Sequence, residues 1–284
     1  MEKKREADVV IIGGGVTGVT IARELSRYKL ETILTEKAGE LSAGQTRASM
    51  NMYTGVNLIQ SLMVKSALLP PGTTMKDLYG TNTLKTRWTT KGFDEWGPVL
   101  KQLDVRHQYT SVLMIAKDED QIERLNSICN LGREIGGIYA NFREMSREEI
   151  LDMEPYVDKN VIKGLFADGV ILDIFPMDLV YALADNAVQN GVKIMLNAEV
   201  TGISHNGRYQ IVRTTKGSIE TKFIINAAGG WCDKVADMGG ARDWGLQYRK
   251  NNLIIFNELT IVSLRSLRLW ERIRKRTLFF AKRH

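Results

Sequence analysis

Residues Asp8 to Glu36 read DVVIIGGGVTGVTIARELSRYKLETILTE, and no other stretch restricts the fold as much. Val9, Val10, Ile11 and Ile12 form a short continuous apolar run, the pattern of a strand buried on both faces. Gly13, Gly15 and Gly18 complete a G-x-G-x-x-G directly after it. From Val19 the spacing predicts a helix, with Ile21, Ala22 and Leu25 inward and Arg23, Glu24 and Arg27 outward. Ile33 and Leu34 read as a second strand, closed by Glu36. Glycines alone would be a weak signal. A strand before them, a helix after them and an acid roughly 20 residues on make it specific.

Each residue type has a physical reason. Gly13 permits the tight turn off the strand, Gly15 lets backbone approach a pyrophosphate, and Gly18 lets the helix pack on the sheet. The helix N-terminus offers unpaired N–H groups and a partial positive charge to phosphates. A carboxylate at Glu36 accepts hydrogen bonds from a ribose and repels a 2′-phosphate. The competing reading is a glycine turn with no ligand; strand, glycines, helix and acid agree against it. Lys29 stands near the helix end, where glycine often supplies a left-handed cap.

With 284 residues the chain can hold one large domain or two interleaved ones, and 44% hydrophobic residues suffice for a core. No stretch is long and apolar enough to span a membrane. The opening MEKKREAD is too short and polar for a signal peptide, so the expectation is a cytoplasmic protein. Cys129 and Cys232 lack metal or C-x-x-C spacing and read as reduced thiols. His107, His205 and His284 are scattered, so no metal is expected. The net charge of +6 suggests nucleic acid until its placement is seen. From Asn257 onward eight basic residues face two acidic ones, so this tail carries the whole excess and the body is near neutral. No nucleic-acid partner is expected.

Glu36 to Val56 is rich in Gly, Ser, Thr and Ala without a helical period, and reads as an extended loop. Helices are expected over Asn57 to Leu69, stopped by Pro70-Pro71-Gly72, and over Leu84 to Leu103, broken or kinked near Gly97-Pro98. Tyr109 to Ala116 reads as a strand. Asp118 to Ile135 is amphipathic, with Ile122, Leu125, Ile128, Leu131 and Ile135 on one face. Ser146 to Glu149 resembles a capping box. Val161 to Ile174 reads as two strands with a turn at Asp168-Gly169, and Pro176 to Asn190 as a helix. Lys193 to Ile203 reads as one strand. Tyr209 to Thr214 and Ser218 to Lys222 form a hairpin, and Phe223 to Ala228 is a further buried strand running into Gly229-Gly230-Trp231.

At these residues the chain resembles the FAD-dependent oxidoreductases of the D-amino-acid oxidase and glycerol-3-phosphate dehydrogenase superfamily. Four landmarks carry the likeness in order: the Asp8 stretch with Glu36-Lys37, the Gly44-to-Gly55 loop, Asn197-Ala198-Glu199-Val200, and Asn226-Ala227-Ala228-Gly229-Gly230-Trp231. MSREEILDMEPYV and VIKGLFADGVILDIFPMDLVYALADNA look like the branch of anaerobic glycerol-3-phosphate dehydrogenases and 2-hydroxyglutarate oxidases. The likeness runs from about Asp8 to Phe256. It implies an α/β fold: a Rossmann-like FAD-binding domain of glutathione-reductase type with an inserted α+β substrate domain, incomplete at the C-terminus. The implied divisions are 1–84 and 161–243 for the FAD-binding domain, 85–160 for the substrate side, and 244–284 for the start of the substrate-domain return and an atypical basic tail.

The cofactor implied is FAD. The resemblance assigns its binding to Gly13, Gly14, Gly15, Val16, Thr17 and Gly18; to Glu36 and Lys37; to Thr46, Ala48, Ser49 and Met50; to Val200, whose backbone meets the adenine; and to Ala228, Gly229 and Trp231. Three departures stand out. The branch has a histidine two residues before the Gly55 position, where Tyr53 stands; Tyr53 is the catalytic candidate by that position alone. The connection from Asn57 to Lys76 is longer than usual, and the tail lacks the glycine-rich segment that closes over the flavin. The function implied is oxidation of a small hydroxy-acid or polyol phosphate, such as glycerol 3-phosphate, by hydride transfer to flavin. An electron-acceptor protein or quinone would take the electrons onward. Arg87 and Lys85 are weighed as anion contacts against a solvated face. Two alternatives stand beside the main reading: a truncated or frame-shifted, inactive relative, and an amino-acid or amine oxidase of the same superfamily. The tail is expected to hang loosely from a body packed through about Phe256; truncation is preferred to a membrane-binding role for it.

Overall fold

The computed structural model describes residues 5–49, 52–54, 83–136, 141–155, 157–248 and 276–278. Two units divide the chain: Met1–Asn51, Leu100–Arg106 and Ile174–Asn252 in the first, and Met52–Val99, His107–Asp173 and Leu253–His284 in the second.

The first unit is built on a six-stranded sheet ordered β7-β2-β1-β10-β9-β8. Strands β1 (Arg5–Ile12), β2 (Thr32–Thr35), β7 (Lys193–Met195) and β10 (Gly217–Asn226) run parallel, and β8 (Val200–Asn206) and β9 (Tyr209–Thr214) add an antiparallel edge. Val10, Ile11 and Leu34 have no exposed surface, which is why an unbroken apolar run could form β1. Helix α1 (Val16–Leu25) ends at Ser26 without a left-handed residue, so Lys29 carries no strain.

Two strand expectations for this unit change. The run from Lys193 to Ile203 is split into β7 and β8, because Asn197 takes φ +51 and turns the chain from a parallel to an antiparallel partner. Conversely, Ser218 to Asn226 is one strand: β10 pairs with β9 over its first half and with β1 along nearly its whole length. Phe223, expected inside, is 66% exposed; no described element covers it.

In the second unit the sheet order is β11-β4-β6-β3, with β5 also paired to β6. These are β3 (Met52–Thr54), β4 (His107–Ala116), β5 (Arg143–Ser146), β6 (Lys163–Ile174) and β11 (Arg276–Leu278). Helix α2 (Leu84–Gln102) continues through Gly97 and Pro98 rather than breaking there. In α3 (Glu119–Ile135) Leu125 and Ile128 are buried, and Ile122 and Leu131 pack against the same core, as their spacing requires. Helix α4 (Arg147–Met153) starts with the full capping box of Ser146 and Glu149, and the next helix, α5 (Pro176–Gln189), belongs to the first unit and opens with Pro176 as expected.

Three readings differ here. Met52–Thr54, inside the expected loop, forms β3 against Ile171–Asp173. The two strands expected over Val161 to Ile174 are one, since Gly169 at φ +69 bends β6 without ending it; β5 pairs before the bend and β3 after it. In the tail, Arg276–Leu278 pairs in parallel with Ser111–Leu113 of β4. This corrects the expectation of an undocked tail at those residues: the edge of β4 offers unpaired backbone groups that an extended segment satisfies. The helix expected over Asn57 to Leu69 lies outside the described residues.

Candidate functional site

A cavity of about 660 Å³ opens along the carboxyl ends of β1, β2 and β10, all within the first unit. Its floor is the glycine turn. Gly13 holds φ +114, and a Cβ there would run into the backbone carbonyl of Ala227. A Cβ on Gly18 would strike the Gly13 carbonyl, so α1 lies directly against the end of β1. Gly15 has ordinary extended backbone and caps α1 without a side-chain hydrogen bond. A Cβ on it would meet only Thr46 Oγ1, at 3.1 Å. Gly15 is therefore spared a side chain on the cavity side, not by strain.

Glu36 is tied to this turn. Its Oε2 accepts from the Gly14 N–H at 2.7 Å and its Oε1 from the Ala38 N–H at 2.8 Å. Its own N–H donates to the Met195 carbonyl, and the Ala198 N–H donates to the Glu36 carbonyl. That pairing brings Asn197 to Val200, distant in sequence, to the end of β2. The loop after β2 folds back over the turn: Ser42 N–H donates to the Gly14 carbonyl at 3.0 Å, and Val16 N–H to Thr46 Oγ1 at 3.2 Å. On the far side Asn226 organises the second glycine junction. Its Nδ2 donates to the Cys232 carbonyl at 2.7 Å, and its Oδ1 accepts from the Ala228 N–H at 3.3 Å. A short 3₁₀ turn, Gly229–Trp231, then leads into α6 (Cys232–Met238). Lys37 places Nζ 3.3 Å from the centroid of the Trp231 ring.

Of the residues assigned from sequence, Gly13, Gly15, Val16, Thr17, Glu36, Lys37, Thr46, Ser49, Val200, Ala228, Gly229 and Trp231 line the cavity. Gly14 and Gly18 sit behind it: Gly18 lets backbone pack on backbone, while Gly14 lies against the Leu41 and Glu36 side chains and donates its N–H to Glu36. Ala48 is not on its wall, and Met50 lies outside the described residues. Sequence reasoning took in Gln45 only as part of the Gly44-to-Gly55 loop, and missed Lys234, Val235 and Met238. The last three belong to α6, whose spacing of one and three residues is a helical signal too short to notice before its position is known.

Tyr53 belongs to the second unit. Its ring stacks on Phe93 at 6.0 Å and meets Trp96 edge-on at 6.4 Å. Burial pushes its phenol above the ordinary value, opposed by a hydrogen bond with Trp96, so it is protonated at neutral pH. Arg87 is exposed. Among the described residues no group of three or more His, Cys, Asp or Glu is arranged to hold a metal ion, and no helix is long and apolar enough to cross a membrane.

A parallel sheet, a glycine turn at a helix N-terminus and a cavity across the strand ends define a dinucleotide-binding α/β protein. Residues 8–279 match the family of FAD dependent oxidoreductases (DAO), and the chain belongs to it. The match reaches past Phe256, where the likeness was expected to stop, and takes in β11. The chain is 32% identical over 232 residues to a glycerol 3-phosphate dehydrogenase of Caloramator mitchellensis, covering 81% of this chain and 43% of that protein. It is 29% identical over 266 residues to a glycerol 3-phosphate oxidase of Mycoplasma pneumoniae, covering 92% and 64%. The solved structure of dithionite-reduced L-α-glycerophosphate oxidase from M. pneumoniae, with FAD bound, superposes with a TM-score of 0.68 at 28% identity, over 82% of this chain and 57% of that one. The chain thus spans about half the length of the relatives it matches. The cofactor of the family is FAD.

Proposed function

We propose that the first unit holds FAD in the cavity described above and that the protein oxidises a small hydroxy-acid or polyol phosphate such as glycerol 3-phosphate. The observation that supports this most is the floor of the cavity: a Cβ-free approach at Gly15, directly before a helix start with no side-chain cap, in a chain of this family. Bound FAD supplies a hydride acceptor. The chain's own residues bind and orient. The N–H groups at the start of α1 would receive the pyrophosphate, with Thr46 giving up its bond to Val16. Glu36 is pinned through one lone pair of each oxygen, which leaves a second on each for ribose hydroxyls. Its charge disfavours a 2′-phosphate.

The same proposal assigns the first unit to the cofactor and the second to the substrate side, and it places the protein in the cytoplasm with an electron-acceptor protein or quinone as its partner. Tyr53, held protonated, would act as a hydrogen-bond donor to substrate rather than as a base. A glycerol 3-phosphate substrate is favoured by the two most similar relatives reported above. The test is a visible spectrum of the purified protein, before and after anaerobic addition of candidate substrates. Flavin bands bleached by glycerol 3-phosphate, and not by glycine or sarcosine, are expected. Bleaching by an amino acid alone would replace the substrate class, and a colourless protein that cannot be loaded with FAD would overturn the proposal.

A further inference from the structure

The cavity is bridged by a pair that holding phosphates and ribose does not require. Lys37 follows β2 and Trp231 follows β10, and β1 lies between those two strands. With Nζ 3.3 Å from the ring centroid, the contact crosses the carboxyl end of β1, where the glycine turn faces the cavity. The two partners are unequally held. The Trp231 indole lies on the loop after β2, where a Cβ on Gly44 would be 3.9 Å from it. Its turn is tied by Asn226 on one side, and by the Tyr248 hydroxyl donating to the Gly230 carbonyl at 2.7 Å on the other. Lys37, exposed, reaches the ring on a flexible four-carbon stem. Trp231 is 42% exposed, but its backbone is tied and one edge of its ring rests on the loop after β2, so the contact opens chiefly by rotation of the longer Lys37 side chain. A cation over an indole face is attracted strongly enough to favour the closed form and too weakly to lock it.

We propose that Lys37 and Trp231 form a strap across the cavity that sets how fast a dinucleotide enters and leaves. This rests on reading the cavity as the FAD site. The strap bridges two walls of the cavity whether or not it is filled, so breaking it speeds entry and exit together and changes the equilibrium constant less. A residue that merely contacts the ligand does otherwise: its loss speeds exit alone.

The experiment uses the full chain with FAD as the probe, following uptake and release by flavin fluorescence in a rapid-mixing instrument. Lys37→Met keeps the stem and removes the charge. Both rates are expected to rise about three- to fivefold, the size of an exposed cation–π contact. Trp231→Leu should do the same, and the double variant should add nothing to either. In the ligand-free chain the Lys37 ε-methylene protons should be shifted upfield by the ring, and Trp231→Leu should abolish that shift. If Lys37→Met exchanges FAD at the wild-type rates, or releases it faster with unchanged uptake, the strap is wrong while the FAD site stands. If wild-type protein takes up no FAD, the cavity reading fails and the strap falls with it. Absence of the upfield shift in wild type also overturns the strap.

Discussion

Glycines do opposite things in the two units. In the first, Gly13 and Gly18 let backbone lie against backbone, and the turn they build leaves a cavity open beside it. In the second, glycines of α2 let side chains fill space. A Cβ on Gly92 would come 2.8 Å from the Tyr53 hydroxyl, and one on Gly97 would come 2.8 Å from that of Tyr109. Phe93 lies between the two phenols, 6.0 Å from one ring and 5.9 Å from the other. The same residue type thus leaves a cavity open in one place and makes room for the protein's own aromatic rings in the other. The contrast separates glycines that shape a site from glycines that pack a core.

Substitutions can break that contrast in order of effect. Gly13→Ala should be the most damaging, because it meets both a forbidden φ and the Ala227 backbone. We expect a loss of about 3 kcal/mol or more, read as a large fall in Tm for the first unit. Gly15→Val should leave the fold nearly intact, within about 1 kcal/mol, yet abolish FAD retention, since its branches enter the cavity. A yellow, fully loaded Gly15→Val protein would refute the cofactor site. Gly92→Ala should cost about 1–2 kcal/mol, the usual price of overpacking, without touching FAD affinity. Loss of FAD alongside the fall in Tm would show that the second unit's packing is not independent of the cofactor.

Glu36→Ala should weaken FAD binding about tenfold and also lower stability by about 1 kcal/mol, because the Gly14 N–H loses its acceptor. Full flavin occupancy at micromolar FAD would contradict the ribose role. The smallest effect is expected in acid. Among the described residues, the second unit holds the carboxyls of Glu144, Glu148, Glu149 and Asp158 below their ordinary values, against Asp8 and Glu40 in the first. For Glu149 the leading cause is the Ser146 backbone N–H, then the Arg143 side chain. A depressed carboxyl contributes stability that is fully present above its unfolded value, near pH 4, and is lost as pH falls through the lower folded value. Amides of α4 should therefore lose hydrogen-exchange protection below about pH 4 before those of β1 do. Equal loss in both would mean that these exposed pairs contribute nothing measurable.

Much of the first unit was legible because its signals are local. The apolar run of β1, the glycines and the acid at Glu36 lie within one stretch, and each answers a requirement of backbone geometry or charge. The amphipathic face of α3 and the Ser146 capping box were legible for the same reason. Strand boundaries were not. Whether Lys193 to Ile203 is one strand or two depends on which strands it meets, and sequence gives residues no record of their partners. The continuity of β6 through Gly169 and the pairing of Arg276–Leu278 with β4 are likewise matters of available edges.

Residue order alone set a strand, a glycine turn, a helix and an acid in succession, the opening of a dinucleotide-binding fold of this family. Which residues meet around the cavity was settled by how distant parts of the chain pair. Glu36 and Val200 are brought together by backbone hydrogen bonds between the ends of β2 and β7 and the chain beyond them. Lys37 and Trp231, far apart in sequence, meet because β2 and β10 flank β1. Local geometry is written in neighbouring residues. Strand order is set by long-range pairing and burial, which no single stretch of a chain contains.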